Sequence, residues 1–494
     1  MPNRQIHFVF FNPKSAFIIA VLVSLVLHWR IFSLDLVGVH VWRQTETQLN
    51  IRHFAKDDLN IFNPRTNYLD QPNGIHRLEF PLMQWCVGLL DRIFGYSIML
   101  TRILIFLLGL FSVLGMMKLA KLLFSDPRAP AIAAWTFSFS PLFYYYTMNP
   151  MPDMMAVCCG IWGLLFGLQW IKSGKTNTLL ISGFFLAIAA LTKLPFILYF
   201  AIFPCYWWIN RKKEFIQSVI KSFFGWGFIL FPILYYAIII SAWRGSPSVT
   251  QGLMDSSSYT GMGLLRHLWG NFSSTLPELL INYAAIPFFI TGAIYLSRKK
   301  FYSNPFFIYL ATVGICVLAY FIFELQLIAT NHDYYLFPFL PLLFLIIIFG
   351  AIRLLQLRPR FEIIVAFLIC ILPLTAFLRI DSRWDSKKPG FNPDVMNYAA
   401  AIKKIVPENA SVITANDPSG QIWFYYFDRS GWNYSNDEID QSLLKERMKN
   451  ENYYFVSDSR KLEQQLDSSG FLGEQVGSFG TIHVYRIVKQ QNGN

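Results

Sequence analysis

Long apolar segments alternate with short polar ones along most of the chain, and 54% of all residues are hydrophobic. A transmembrane helix needs about 20 predominantly apolar residues. About eleven segments have this length or are slightly shorter, at 16–34, 97–124, 129–147, 153–172, 177–192, 194–210, 216–243, 277–297, 304–327, 334–356 and 361–379. We therefore predict an all-α polytopic membrane protein. No small-residue cleavage site follows the first segment, so we interpret it as a retained helix.

The short loops between the apolar segments are rich in Lys and Arg. Basic loops gather on the cytoplasmic side of a membrane. If every segment crosses once, the basic runs fall on the side of the N-terminus, at 118–128, 172–175, 211–213, 298–300 and 353–360. The long segments 35–96, 244–276 and 380–494 then lie outside the cytoplasmic (inner) membrane. Topology thereby explains the net charge of +12, and we predict membrane lipids but no nucleic acid as partners.

The region 177–210 allows two interpretations, because the sequence LTKLPF interrupts one long apolar stretch with Lys193 and Pro195. A single kinked helix would bury Lys193 in the middle of the membrane and would invert every later loop. Two short spans that meet at the outer face preserve the charge bias of the loops. We therefore predict two spans.

The large first outer loop opens with HVWRQTETQLNIRHF, which predicts a helix lying at the membrane interface. Trp42, Glu46, Asn50 and His53 recur at intervals of three or four residues, and side chains at this spacing lie on one face of a helix. We expect this face to carry the polar chemistry of the loop.

From about residue 380 the composition becomes that of a soluble domain. Asn392 precedes a proline and an amphipathic helix, 459–466 predicts a second helix, and 410–417 and 452–458 predict strands. The closing segment 481–488 alternates like an edge strand. We predict two domains, a transmembrane catalytic domain at 1–379 and a small extracytoplasmic α/β domain at 380–494.

Several ionisable residues lie at membrane edges, where charge is costly and function is the first hypothesis. Each has a second interpretation. Glu46 could pair with Arg43 or Arg52 on the interfacial helix. Asp153 follows a proline and would suit a helix N-terminus for its charge alone, and Lys193 could extend to the interface. The remaining polar residues, His332, Asp333 and Tyr334, precede a span, where Tyr is expected as an anchor.

Five motifs in this order resemble the GT-C glycosyltransferases, and they span the predicted membrane part: WRQTET at 42–47, EFPLMQW at 79–85, NPMPDMM at 149–155, LTKLPF at 191–196 and HDYYLFPFLP at 332–341. The sequence is most similar to the bacterial branch related to protein O-mannosyltransferases and to the lipid A aminoarabinose transferase. The resemblance implies an enzyme that takes a sugar from a polyprenyl-phosphate donor at the outer membrane face.

The resemblance also implies roles for individual residues. Glu46, where the family usually has Asp, would act as the general base or orient the acceptor, and Asp153 would line the site and bind the acceptor. Lys193 would bind the lipid phosphate. The sequence departs from the family at Glu79, which stands where a phosphate-binding lysine is expected, so another base would be needed, with Arg43, Arg77 or Arg266 as candidates. His332, Asp333 and Tyr334 would contact sugar or phosphate.

No ATP-binding loop, CxxC pair or GxSxG elbow occurs, so the energy must arrive with an activated substrate. We predict no cofactor and no obligatory metal, although Glu46, Asp153, His53 and His332 are residue types that could hold a divalent ion. A transporter or flippase for a lipid-linked saccharide is the alternative, but it would favour pseudo-repeated halves. A non-catalytic envelope scaffold is a third possibility. The acceptor, a glycan, lipid or protein, stays open, as does the sugar.

Overall fold

The computed structural model describes residues 9–69, 72–240, 261–296, 305–325, 328, 332–358, 360–434, 439–448 and 453–488. These residues are mostly helical, with one small sheet near the C-terminus, which confirms the predicted fold class.

Among the described residues, six helices are long and apolar enough to cross a membrane: Pro13–Ile31, Ile98–Leu123, Asp153–Ser173, Glu214–Ile239, Asp333–Leu357 and Arg360–Trp384. A pair bent by 97°, Met262–Ile281 and Tyr283–Leu296, would make a seventh. The chain is an integral membrane protein. The predicted number of about eleven spans stays a prediction, because parts of 216–243, 277–297 and 304–327 lie outside the described residues.

Contacts between residues divide the chain into two compact units. The first unit is Met1–Ser33, Leu78–Met83 and Thr101–Ser382, and the second is Leu34–Arg77, Gln84–Leu100 and Arg383–Asn494. The second unit therefore groups most of the first outer loop with the C-terminal residues, which the prediction from sequence had assigned to different domains. The domain boundary at 379/380 stays a prediction.

The first unit contains the α-helices Pro13–His28, Ile98–Leu123, Ala129–Ser138, Pro141–Tyr146, Asp153–Ser173, Thr176–Thr192, Ile202–Trp226, Leu230–Leu234, Met262–Gly270, Ile286–Leu296, Phe307–Phe323, Leu340–Leu357 and Arg360–Ile380. Two shorter 3₁₀ segments, Leu194–Ala201 and Asp333–Phe339, are important for the site described below. The predicted segment 129–147 is two helices, because Pro141 begins the second and Ser140 caps it.

Two glycines allow helices Ile286–Leu296 and Leu340–Leu357 to approach each other closely. A Cβ atom at Gly350 would lie 1.8 Å from the carbonyl oxygen of Phe288, and one at Gly292 would lie 2.2 Å from that of Ile346. No side chain fits at either position. Small residues at such crossings are typical of membrane helices, whose association depends on close packing.

The predicted break within 177–210 occurs at Lys193. Helix Thr176–Thr192 ends there, since the backbone of Lys193 is extended (φ −151°, ψ 107°), and the segment Leu194–Ala201 follows. Pro195 explains the break, because it has no N–H group to donate to the carbonyl of Leu191, four residues earlier. That carbonyl accepts a hydrogen bond from the amide of Phe80 at 3.0 Å instead. The amide of Lys193 still donates to the carbonyl of Ala189 at 2.8 Å.

The C-terminal part of the second unit is built on a five-stranded sheet. The strands are β1 (Ser411–Ala415), β2 (Gly431–Tyr434), β3 (Tyr453–Ser457), β4 (Leu472–Phe479) and β5 (Ile482–Ile487), in the spatial order β2-β1-β3-β5-β4. β1 is parallel to β2 and β3, whereas β5 is antiparallel to β3 and β4. The accompanying helices are Pro393–Asn397, Ala399–Ile405, Ile422–Phe427, Gln441–Arg447 and Arg460–Ser468. The three predicted strands and the helix predicted at 459–466 are present, whereas the helix predicted after Asn392 is divided at Tyr398 into Pro393–Asn397 and Ala399–Ile405.

The prediction that 481–488 forms an edge strand is wrong. β5 pairs with β3 on one side and with β4 on the other, and β4 forms the edge. The sequence of β4, LGEQVGSF, contains two glycines, and its pairing with β5 shifts register at Gln475. Such irregularities disturb the alternation of polar and apolar residues, so the sequence pattern did not predict this strand.

The predicted interfacial helix is helix Val41–Lys56, which belongs to the second unit together with the helix Leu82–Phe94. Its residues from Arg43 to Ile51 are all buried, not only those on one face. Arg52 lies between the rings of Tyr96 and Tyr425, 5.0 and 4.9 Å from their centroids, and pairs with Asp428 at 2.6 Å. These contacts join the three stretches of the second unit.

Candidate active site

Two ionisable side chains meet at a buried position in the first unit. Asp153 is 1% exposed and Lys193 is 9% exposed, and the Nζ atom of Lys193 lies 3.3 Å from Oδ1 of Asp153. The sequence had singled out each residue separately, and the structure brings them together. Removing two charges from water is expensive, and ionisable residues within a membrane protein are candidates for function for this reason.

The ends of two consecutive helices place these charges. Asp153 is the first residue of helix Asp153–Ser173, and Lys193 directly follows helix Thr176–Thr192. The helices pack as a hairpin, in which Ser182 donates to the carbonyl of Gly163 at 2.8 Å. A helix N-terminus favours a carboxylate, and a C-terminus favours an ammonium group. The helix dipoles therefore stabilise both charges. For Asp153 this agrees with the second interpretation from sequence, in which its charge suits a helix N-terminus.

Two aromatic faces lie beside the ammonium group. The Nζ atom of Lys193 is 4.6 Å from the ring centroid of Tyr334 and 5.3 Å from that of Tyr335. The two rings stack with their centroids 5.0 Å apart. A cation over an aromatic face is stabilised by roughly 0.5 to 2 kcal/mol. The carboxylate of Asp153 and two aromatic faces thus hold Lys193 in place.

The neighbouring polar residues of the HDYY motif orient this aromatic pair. A hydrogen bond of 2.9 Å joins the hydroxyl group of Tyr334 to Nδ1 of His332. Asp333 begins the segment Asp333–Phe339, and its carboxylate accepts a hydrogen bond from the hydroxyl group of Tyr146 at 2.5 Å. The predicted residues His332, Asp333 and Tyr334 therefore lie in the same cluster as Lys193.

An apolar cavity of about 500 Å³ lies in the same unit. Leucine and aromatic side chains dominate its lining, including Trp269, Phe272, Leu318, Phe321 and Phe339. One element that lines it, the segment Asp333–Phe339, also carries Asp333, Tyr334 and Tyr335 of the cluster around Lys193. A cavity of this size and character suits a hydrocarbon chain.

In the second unit, Glu46 is buried and paired. Nη1 of Arg43 donates to Oε2 of Glu46 at 2.5 Å, and Nε2 of His76 lies 3.6 Å from Oε1. The sequence allowed Glu46 to pair with Arg43 or with Arg52, and the structure shows the pair with Arg43. The guanidinium group holds the carboxylate in one orientation. A role for Glu46 as a base stays a prediction.

The other basic candidates for a phosphate site are placed differently. Arg266 is exposed on helix Met262–Gly270, between two residues that line the apolar cavity, Leu265 and Leu268. Arg77 stabilises the first outer loop by donating to Asn63 at 2.8 Å. The backbone carbonyl of Glu79 accepts a hydrogen bond from Tyr235 at 3.2 Å. Of these residues, Arg266 has the most open position.

No three His, Cys, Asp or Glu side chains lie close enough to hold a metal ion within the part of the chain that the structure describes. One residue considered for such a site, His53, is hydrogen-bonded through both ring nitrogens, to Asp57 at 2.5 Å and to Asn67 at 2.7 Å. The absence of an obligatory metal stays a prediction.

Two further buried polar residues in the first unit were not predicted. Tyr320 and Glu324 are 9% and 4% exposed, and they lie at the end of helix Phe307–Phe323. A signal was present in the sequence, because Glu324 falls within the predicted span 304–327, where an acidic residue is unusual.

Residues 70–240 match the model of a family described as dolichyl-phosphate-mannose-protein mannosyltransferase. Comparison with curated protein sequences finds no match.

The fold is similar to that of several solved proteins. ArnT from Cupriavidus metallidurans, solved bound to undecaprenyl phosphate, is 15% identical, with a TM-score of 0.68 over 97% of this chain and 99% of that chain. The same protein in the apo state gives a TM-score of 0.66 at 14% identity, over 95% of this chain and 97% of that one. The oligosaccharyltransferase of Archaeoglobus fulgidus, in complex with Zn and sulfate, gives a TM-score of 0.54 at 15% identity, over 95% of this chain and 72% of that chain. The predicted resemblance is confirmed for the fold.

Proposed function

We propose that this chain, which has the GT-C fold, is an inverting glycosyltransferase that moves a sugar from a polyprenyl-phosphate carrier to an acceptor. A hydroxyl group of a glycolipid, glycan or protein attacks the anomeric carbon from the face opposite the phosphate. The new carbon–oxygen bond forms as the bond to the phosphate oxygen breaks, and polyprenyl phosphate leaves. The buried Lys193–Asp153 pair is the observation that carries this proposal.

Lys193 supplies the positive charge for the donor phosphate. Its Nζ atom has one carboxylate neighbour at 3.3 Å and aromatic faces at 4.6 and 5.3 Å. A cation in such a setting is desolvated, so a phosphate oxygen that reaches it forms a charge-assisted hydrogen bond. Arg266 is the candidate for a second cation, since it lies on a helix that lines the apolar cavity. The phosphate leaves as an anion and needs no strong acid to protonate it.

The apolar cavity suits the carrier's hydrocarbon chain. It shares the segment Asp333–Phe339 with the polar cluster, so an amphiphile could place its chain among Phe321 and Phe339 and its headgroup beside Lys193. ArnT of Cupriavidus metallidurans, which has a similar fold, binds undecaprenyl phosphate. Extending this class of lipid to the present chain is part of the proposal.

The two carboxylates take separate parts in the transfer. Asp153 orients the acceptor, and Glu46 accepts the proton of the acceptor hydroxyl group as that oxygen attacks. Arg43, 2.5 Å from Glu46, fixes the direction of its carboxylate. His332, Asp333 and Tyr334 shape the surroundings of Lys193 and contact sugar or phosphate. No cofactor and no obligatory metal enters this scheme, because the donor arrives activated.

We place the protein in the cytoplasmic (inner) membrane, with its C-terminal residues outside the cytoplasm. The distribution of Lys and Arg in the short loops supports this orientation. The donor and acceptor then meet at the outer face of this membrane.

The test is mass spectrometry of polyprenyl-phosphate lipids and envelope glycans from cells that lack the protein. These cells are complemented with the wild type, with Glu46→Gln or with Asp153→Asn. Glu214→Gln is the matched control, because this carboxylate is exposed. We expect one sugar-bearing carrier to accumulate without the wild type and with both site variants, while one sugar disappears from a glycan.

The outcomes test the transferase function and the roles of the two carboxylates separately. The glycan that lacks a sugar identifies the acceptor, and the carrier that accumulates identifies the donor. If glycans and carriers stay unchanged without the protein, the transferase proposal is wrong and a transporter or scaffold becomes the better explanation. If the two carboxylate variants restore the glycan as fully as the wild type does, the enzyme stands and the assignment of Glu46 and Asp153 fails.

A further inference from the structure

Helix Phe307–Phe323 ends in two buried polar side chains that the scheme above does not use. Tyr320 is 9% exposed, and Glu324, one turn later on the same side of the helix, is 4% exposed. Within the described ranges, no hydrogen-bond partner is present for the hydroxyl group of Tyr320 or for Oε1 of Glu324. A buried polar group without a partner costs about 1 to 3 kcal/mol, and a charged one costs more. A ligand that supplies the missing hydrogen bonds would recover this cost.

The first of these side chains adjoins the Lys193 cluster. The phenol group of Tyr320 is close enough to interact electrostatically with Glu324, Tyr335 and Asp153. Tyr335 in turn faces the Nζ atom of Lys193 at 5.3 Å. Tyr320 therefore adjoins the cluster that contains the Lys193–Asp153 ion pair, and Glu324 adjoins Tyr320.

The next residue of this helix, Phe321, faces apolar surroundings. Phe321 lines the apolar cavity and packs edge-on against Phe339, with ring centroids 5.6 Å apart. Tyr320 and Phe321 are neighbours in sequence, so the helix presents a polar group in one direction and a hydrocarbon surface in another. A carrier chain would occupy the side of Phe321 and would leave Tyr320 and Glu324 unsatisfied.

We propose that Tyr320 and Glu324 bind hydroxyl groups of a sugar ring, an assignment that rests on the proposed transferase function. A carboxylate accepts hydrogen bonds and a phenol both donates and accepts them, which is the complement of neighbouring sugar hydroxyl groups. A phosphate is the wrong ligand for this pair, because its charge has the same sign as that of Glu324. The charges of the side chains thereby assign two positions in the site: the phosphate binds beside Lys193, and the sugar binds beside Tyr320 and Glu324.

Sugar hydroxyl groups could come from the donor or from the acceptor, and binding measurements distinguish these sources. The full-length protein in lipid nanodiscs is titrated with undecaprenyl phosphate, which has no sugar, and with carrier lipids extracted from cells that lack the protein. If the donor's sugar occupies the site, Glu324→Gln and Tyr320→Phe weaken binding of the sugar-bearing carriers by roughly tenfold or more. Binding of undecaprenyl phosphate stays unchanged.

If the acceptor's sugar occupies the site, both variants bind all carriers normally. They then need roughly tenfold more of an envelope glycolipid extract, taken from the same cells, to reach half-maximal transfer. Glu214→Gln, with an exposed carboxylate, is the control in both arms. Thermal unfolding separates binding from a structural role, since Oε1 of Glu324 has no partner among the described residues and Glu324→Gln should not lower the unfolding midpoint.

Three results would overturn the assignment. The first is unchanged carrier binding together with unchanged acceptor dependence in both variants while the wild type transfers sugar, which leaves the transferase intact. The second is a lowered unfolding midpoint for Glu324→Gln with normal binding by the folded fraction, which indicates a structural residue. The third is a wild type that neither transfers sugar nor prefers sugar-bearing carriers, which refutes the proposed function as well.

Discussion

Replacing Lys193 by Met separates the structural part of the Lys193–Asp153 pair from its part in binding. At 3.3 Å and an effective dielectric constant of about 20, the attraction between the two charges is roughly 5 kcal/mol. Much of this is offset by the loss of hydration, but removing one partner leaves the other buried and unpaired, at about 3 to 5 kcal/mol. We therefore expect Lys193→Met to be destabilised by about 3 kcal/mol.

A double variant tests this account directly. In Lys193→Met with Asp153→Asn neither charge remains buried, so most of the lost stability should return, as is found when buried ion pairs are replaced by neutral residues. The affinity for undecaprenyl phosphate should stay at least tenfold below that of the wild type in both variants. Asp153→Asn alone should bind this lipid at least as tightly as the wild type, because it removes a negative charge beside the phosphate.

The assays are thermal unfolding at a fixed scan rate and titration with undecaprenyl phosphate in lipid nanodiscs. Lys175→Met, at an exposed position between two helices, is the control and should change neither quantity. The reasoning is refuted if Lys193→Met binds the lipid normally, or if the double variant recovers binding together with stability.

Two further predictions concern the second unit. Burial raises the pKa of Asp91 from 3.8 to about 6. The folded state therefore binds more protons between these values, and stability falls as pH rises from about 4 through 6. Asp91→Asn should raise the free energy of unfolding by up to about 3 kcal/mol at pH 7 and by little at pH 4; equal effects at both would contradict the assignment. A Cβ atom at Gly431 would lie 1.7 Å from the carbonyl oxygen of Val412, so Gly431→Ala should lower the unfolding midpoint strongly. Gly227→Ala should not, because a Cβ atom there would meet nothing within 4 Å beyond its own stretch of chain; an equal effect of both substitutions would refute this reasoning.

The sequence predicted individual residues of the site better than their partners. Asp153 and Lys193 were visible because charges stand out in an apolar context. Their ion pair was not, since it depends on the packing of two helices as a hairpin. The pair of Glu46 with Arg43 was one of two partners that helical spacing allowed, and only the structure distinguishes it from the pair with Arg52.

The features that the sequence interpretation missed have different physical causes. Glu324 lies within a predicted span, and its apolar neighbours hid it, although an acid at such a position is itself a signal. Strand β4 was missed because its irregular pairing with β5 disturbs the alternation that reveals strands. For β4 the missing information is a tertiary contact, to which local periodicity is insensitive, whereas Glu324 could have been found from its acidic side chain alone.

The position of Arg52 between Tyr96 and Tyr425 has a consequence for engineering. The C-terminal residues share their fold with two stretches of the first outer loop, so a chimaera that exchanges the C-terminal part alone would separate the arginine from Tyr425 and Asp428. Transplanting Leu34–Arg77, Gln84–Leu100 and Arg383–Asn494 together would preserve these contacts. Homologous recombination between relatives would face the same constraint, and substitutions in the three stretches should therefore be inherited as a set.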